Sequence, residues 1–268
     1  MKKICFFFLF ILFFSCEEVI DVELPTSETR LVIDAIIGYN DNNGEPITIG
    51  QITLTLTAPF LNAEVQPARD AQVFITNEDT GSRIELLESE PGIFRDGFPN
   101  LEFGVDYTIE VIYQNNVYTA TEQLQRTGEI TSLRQDDGFL LDEEKETEIV
   151  VSFNDVPDER NYYLFAFGLD NYLVSDDEFY QNSSLTFSYF YEDLEPNDVI
   201  TITLLGIDQQ FANYVNLALV QAGEDGGGPF QVPTATVKGN IVNTTEPDNF
   251  PFGYFALGEF DVQLFTVE

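Results

Sequence analysis

The chain has no histidine, no tryptophan, two cysteines, one methionine and only 11 lysines and arginines in 268 residues. Each scarcity excludes a class of chemistry. Without histidine there is no Ser/His/Asp or Cys/His triad, no histidine-ligated zinc or haem and no imidazole switch near neutral pH. With 47 acidic residues and a formal charge of -36, the surface repels nucleic-acid phosphates, so DNA and RNA are excluded as partners. What the chain does have is 44% hydrophobic and 14% aromatic residues, enough to fill a core and too apolar for a disordered acidic tail.

The N-terminus is the clearest segment. Met1, Lys2 and Lys3 precede an eleven-residue apolar run, 4–14, with six phenylalanines. A helix needs roughly 20 residues to span a bilayer core of about 30 Å, so the run reads as the hydrophobic stretch of a secretory signal peptide, 1–15. Ser15-Cys16 follows at once. The segment Phe13-Phe14-Ser15-Cys16 resembles the lipobox of bacterial lipoproteins, with Phe in two places where smaller or aliphatic residues are common. That resemblance implies cleavage before Cys16, a diacylglyceryl group on its thiol and an acyl group on its new amine. An ordinary signal peptide with a free Cys16 is the alternative.

Cys5 then leaves with the signal peptide and Cys16 carries lipid, so no thiol remains for a disulfide. Loss of residues 1–15 removes Lys2 and Lys3 and no acid, taking the formal charge to -38. Behind Cys16, the residues Glu17, Glu18 and Asp21 look like the surface-export signal of lipoproteins from Bacteroidetes, against the plainer reading of a solvated acidic tether. Residues 16–29 are expected to form that tether and to hold an acidic body away from an anionic leaflet.

The body is expected to be mainly β. Residues 31–37 are β-branched and apolar, the polar cluster 38–46 follows as a turn, and 51–57 alternate with period two, the mark of a strand with one buried face. Further strands are expected at 71–76, 84–87, 107–113 and 117–123, with Asn115-Asn116 as a hairpin turn. The segment from Gly104 to Tyr107 resembles the strand entry of Ig-like and transthyretin-like domains, in which a tyrosine packs at a corner and its hydroxyl meets the backbone. Residues 30–125 are therefore expected to form an Ig-like or transthyretin-like sandwich and 126–147 an acidic linker. A β-rich domain over 148–268 would follow, with strands at 148–153, 161–169, 184–191, 199–205, 252–256 and 260–267. Within it, apolar residues recur at three- and four-residue steps over 208–222, ahead of Gly223 and Gly226-Gly227-Gly228-Pro229, which predicts one helix.

Several of these segments together resemble the Bacteroidetes lipoprotein family called DUF4249, whose function is unknown. They are Cys16 to Val22, the strand at Leu31-Val32-Ile33, Asp70 to Ile75, Pro91-Gly92-Ile93-Phe94, Gly104 to Ile109, Asn161-Tyr162-Tyr163, the helix, Gly239 to Asn243 and Phe252 to Phe255. The resemblance implies an outer-membrane lipoprotein facing the cell exterior, often associated with TonB-dependent barrel receptors, and supplies no catalytic residues.

Candidate sites are few. The turn at Asn40 to Glu45 has oxygen ligands but not EF-hand spacing, so no metal site is expected beyond weak divalent-cation binding at acidic clusters such as Asp136-Asp137 and Asp176-Asp177-Glu178. No cofactor is expected beyond the lipid on Cys16. Tyr162, Tyr163, Tyr189 and Tyr191 lie in aromatic strand segments and are candidate ligand-facing residues, with core packing as the competing explanation. The favoured function is a non-catalytic surface lipoprotein accessory to a TonB-dependent receptor in nutrient capture or uptake. An adhesive or structural envelope module is the alternative, and a carboxylate-based hydrolase, needing two acids about 5–10 Å apart, comes last.

Overall fold

Period-two alternation places one face of each strand against a core, and the computed structural model is accordingly built almost entirely of strands. It describes residues 28–42, 44–58, 65–141, 145–168, 171–222 and 236–268. The signal peptide, Cys16, Glu17, Glu18 and Asp21 lie outside the described residues. Among those described are β1 (Leu31–Asn42), β2 (Glu45–Leu56), β3 (Gln66–Pro67), β4 (Gln72–Asn77), β5 (Ser82–Leu86), β6 (Ile93–Phe94), β7 (Asp106–Tyr113) and β8 (Asn116–Gln123). They continue with β9 (Glu129–Asp136), β10 (Glu146–Asn154), β11 (Tyr162–Ala166), β12 (Tyr172–Asp176), β13 (Ser184–Glu192) and β14 (Val199–Ile207), then helix α1 (Gln209–Ala222), β15 (Val242–Asn243) and β16 (Phe252–Thr266). No helix among the described residues is long and apolar enough to cross a membrane.

One large sheet, in the order β12-β11-β14-β16-β1-β2-β3 with β6 on β2, faces two smaller ones. The five-stranded sheet β15-β8-β7-β4-β5 covers one end and the three-stranded sheet β13-β10-β9 belongs to the other. The first core joins Ile33, Ile37, Ile52 and Leu54 to Val73, Ile75, Tyr107 and Ile109. The second joins Ile149, Val151 and Phe153 to Tyr163, Phe165 and Ile202, with the Phe153 ring edge-on to Tyr163 and Phe165 at 5.4 and 5.2 Å.

β16 unites the two halves. Its first part, from Phe252, pairs parallel with β1, and its second, from Phe260, pairs antiparallel with β14. The expected strands 252–256 and 260–267 are thus one strand, because Leu257, Gly258 and Glu259 keep the alternation instead of breaking it. Along its inner face, Phe255 and Leu257 enter the first core and Phe265 packs on the second. Between them stand two acids. A Glu259 carboxylate oxygen accepts the Thr127 N–H (3.1 Å) and an Asp261 oxygen accepts the Ile130 N–H (2.7 Å), which ties the crossing segment to the strand.

Several expectations change accordingly. The first sandwich takes in β15 and half of β16 as well as most of residues 30–125, with Ile241, Phe255 and Leu257 in its core. The stretch 126–147 contains an edge strand, β9, paired with β10. Glu129, Asp136 and Asp137 are exposed, and Ile130 on the other face is buried. The polar cluster after residue 37 is largely strand, since β1 and β2 stay in register out to Asn42 and Glu45. The β7–β8 turn is carried by Gln114 and Asn115, both with positive φ (47° and 64°), while Asn116 already belongs to β8.

The tyrosine corner is present. Gly104 takes φ 77°, a conformation that L side chains rarely adopt, and Tyr107 is fully buried. The Tyr107 hydroxyl accepts the Glu102 N–H (3.0 Å) and donates to the Asn100 carbonyl (3.3 Å). A second such corner closes the other half, where the Tyr163 hydroxyl donates to Asp155 (2.6 Å) and accepts the Val156 N–H (3.0 Å).

Candidate functional site

The outer face of the large sheet is where the sequence leaves apolar side chains uncovered. On β16 the outward set is Tyr254, Ala256, Phe260, Val262 and Leu264, set by the same alternation that sends Phe255 and Phe265 inward. Tyr254 and Ala256 are buried, but Val262 and Leu264 remain exposed. Ile36 on β1, Ile49 on β2 and Tyr172 on β12 are exposed as well. Gly38 shapes the floor, because a Cβ there would lie 2.8 Å from the Phe260 ring. The missing side chain leaves room for that ring against β1.

Two adjoining hollows result. One, of about 530 Å³, lies between β1, β2 and the strands β11, β14 and β16. The other, of about 330 Å³, continues beneath α1. They share Ile36, Leu164 and Tyr172 and so form one groove.

Helix α1 builds the far wall. Asp208 caps it, its carboxylate accepting the Phe211 N–H at 2.7 Å. Phe211 and Ala212 are buried, and the Phe211 and Tyr214 rings meet the Tyr254 ring at 4.7 and 5.1 Å. This anchors the first turns to the sheet. Farther along, Ala218, Leu219 and Ala222 line the groove.

Among the described residues, Asp34 is the only charged one lining either hollow. It stands beside Tyr254 in the β1–β16 register and is more than a third exposed. Its apolar surroundings push its pKa up by desolvation. Burial, and secondarily the charge of Asp34, raises Tyr214 in turn. The Tyr254 hydroxyl is buried without a hydrogen-bond partner among the described residues.

A family model described as a domain of unknown function (DUF4249) matches residues 17–263. The chain belongs to the DUF4249 family. No curated protein matches it. Among solved structures, a selenomethionine-substituted chicken interferon gamma receptor alpha chain is similar at 9% identity. The match covers 68% of this chain and 90% of that one, but its TM-score of 0.20 carries no argument.

In this DUF4249 chain the four tyrosines singled out from sequence go to different places. Tyr163 and Tyr191 are core residues, turned inward by strand alternation and by the mass of neighbouring phenylalanine. Tyr189 stacks on Phe167 at 3.8 Å. Tyr162, on the outward face, helps line a polar cleft of about 500 Å³ between the two sandwiches, with the Arg160 guanidinium 5.6 Å above its ring. Arg160 also answers the acidic run, pairing with Asp176, Asp177 and Glu178 at 3.1, 3.3 and 3.5 Å. That single guanidinium offsets one of the three negative charges and ties the run together. No group of three or more potential metal-ligating residues occurs among the described residues.

The groove was not anticipated from sequence, although two signals pointed to it. Asp34 interrupts the apolar run 31–37 at an outward position, and the helix carries more apolar residues than one face needs.

Proposed function

We propose that the protein is a non-catalytic, lipid-anchored binding protein of the outer-membrane surface, an accessory to a TonB-dependent receptor in nutrient capture or uptake. The observation that carries this reading is the groove across the outer sheet face, which combines the dimensions of a small-molecule site with an apolar lining and few polar groups. The N-terminal sequence supports the location, with a short apolar run ending at Ser15-Cys16 and acids directly behind it. A family match starting at residue 17, the first position after Cys16, is in keeping with it.

Two measurements test the reading. Gentle detergent extraction followed by affinity capture is expected to recover an outer-membrane barrel receptor together with the lipoprotein; recovery of the lipoprotein alone counts against the partnership. Cys16→Ala is expected to abolish palmitate incorporation and membrane retention, and unchanged labelling removes the anchor from the proposal.

A further inference from the structure

Resting on the groove as a ligand site, we propose that its ligand is a small soluble amphiphile with an apolar body and a single cationic, ammonium-type head, held by Asp34. Three observations converge on this class.

First, Asp34 is the only charge among the described residues of a lining that is otherwise mainly apolar and aromatic. A carboxylate so placed distinguishes ligands by charge while the surrounding surface binds any apolar body. Second, Asp34 makes no ion pair or hydrogen bond with any described residue, although acids elsewhere do find partners, as Glu110 does in Arg83 and Glu90 in Arg95. Its apolar neighbours shield this carboxylate in part from water and offer it no counterion, so an incoming cation gains a charge-assisted contact that nothing else in the groove competes for. Third, two aromatic rings stand beside it. Tyr254 is its register neighbour, Tyr214 feels its charge, and the two rings are tilted at 46° with centroids 5.1 Å apart. Aromatic faces next to a carboxylate are the usual surroundings of a bound ammonium group.

The rest of the groove suits the other end of such a molecule. From Asp34 the hollow beneath α1 runs past Ile36, Leu164 and Tyr172 into the larger hollow, where Phe260 and Val262 offer apolar surface without charge. An anionic amphiphile meets both Asp34 and a chain of formal charge -36. A cationic one is drawn in by the same field.

The test uses the full chain in nanodiscs of digalactosyldiacylglycerol, a lipid without an ammonium group, titrated calorimetrically with 4-phenylbutylamine, 4-phenylbutanol and 4-phenylbutyrate after subtraction of empty nanodiscs. The amine is expected to bind roughly tenfold more tightly than the alcohol, the scale of one charge-assisted contact in a half-open site, and the carboxylate more weakly than both. Asp34→Asn, which keeps the shape of the side chain, is expected to bring the amine to the level of the alcohol. Equal binding of amine and alcohol by the unaltered chain, or an amine preference that survives in Asp34→Asn, overturns the assignment and leaves the groove as a neutral apolar site. Failure of all three compounds to bind overturns the groove as a ligand site altogether. Phosphatidylethanolamine in the nanodisc competing with the amine shifts the head group to a membrane lipid and overturns the soluble ligand.

Discussion

Tyr163 and Asp155 are joined by a 2.6 Å hydrogen bond in which the buried phenol donates to the carboxylate. The same hydroxyl accepts the Val156 N–H, and the other Asp155 oxygen accepts the Asn182 N–H at 2.7 Å. One tyrosine thus fixes two loops to the rim of the second core. Burial and then the Asp155 bond push the Tyr163 pKa far upward, so the hydroxyl remains a donor at any ordinary pH.

Tyr163→Phe is expected to cost about 1–2 kcal/mol, since it leaves a part-buried carboxylate oxygen and an N–H without their partner. Tyr107→Phe, which loses longer bonds of 3.0 and 3.3 Å, is expected to cost less. Urea unfolding of both variants checks the order, and an unchanged midpoint in Tyr163→Phe removes the corner from the stability argument.

Glu122 provides a pH dependence. Burial raises its pKa to about 7, against an opposing hydrogen bond from the Asn240 amide at 2.6 Å. The same Asn240 bridges to Phe255, donating to its carbonyl and accepting its N–H. The folded chain therefore holds the Glu122 proton more tightly than the unfolded chain does. Its contribution to stability is fully present below the ordinary glutamate range and is lost as the pH rises toward and through about 7. Glu122→Gln keeps an acceptor for Asn240 and is expected to flatten this part of the profile, making the variant the more stable protein at pH 8. Parallel stability curves for the two proteins between pH 4 and 8 contradict it.

Gly258 and Gly38 face each other across the β1–β16 ladder but differ in what a methyl group meets. At Gly258 a Cβ overlaps the backbone carbonyl oxygen of Gly206, which cannot give way, whereas at Gly38 the nearest atoms belong to the Phe260 side chain. Gly258→Ala is expected to destabilise by about 1–3 kcal/mol or more, as overpacking does. Gly38→Ala is expected to fold nearly normally and to lift Phe260 into the groove, weakening 4-phenylbutanol binding. Equal stabilities for the two variants contradict the difference.

Asp261 and Glu259 hold the crossing segment by accepting the N–H groups of Ile130 and Thr127. Asp261→Ala is expected to cost about 1–2 kcal/mol, because Ile130 is buried and its N–H loses its partner. Faster hydrogen exchange at Ile130 is the direct readout, and protection equal to that of the unaltered chain argues against it.

Strand content and the helix were legible from local pattern. Period-two alternation in Gln51 to Thr57 and three-to-four spacing from Phe211 to Ala222 are carried by neighbours in sequence. The joining of the two halves was not legible, because it depends on pairing β16 with β1, over two hundred residues away, and nothing local to Phe252 names that partner. The same limit explains the tyrosines. An aromatic run such as Tyr162 to Phe167 fixes which residues share a face, but only the packed sheets decide that Tyr163 points into the core and Tyr162 toward the cleft. Asp34 was visible as a lone acid in a strand, yet its lack of a cationic partner among the described residues depends on which surfaces α1 and β16 bring beside it.

The placement of β16 also orders events in time. During synthesis it is made after the other fifteen described strands, yet two of them need it as a neighbour. Until it emerges, β1 and β14 each wait as an open edge of the kind that templates aggregation, and both cores lack the rings and aliphatic groups that Phe255, Leu257 and Phe265 supply. Neither half is complete before the other begins to close, so the closing stretch of the sequence acts as a joint checkpoint for both, and a chain stopped short of Phe252 exposes two unfinished sheets at once.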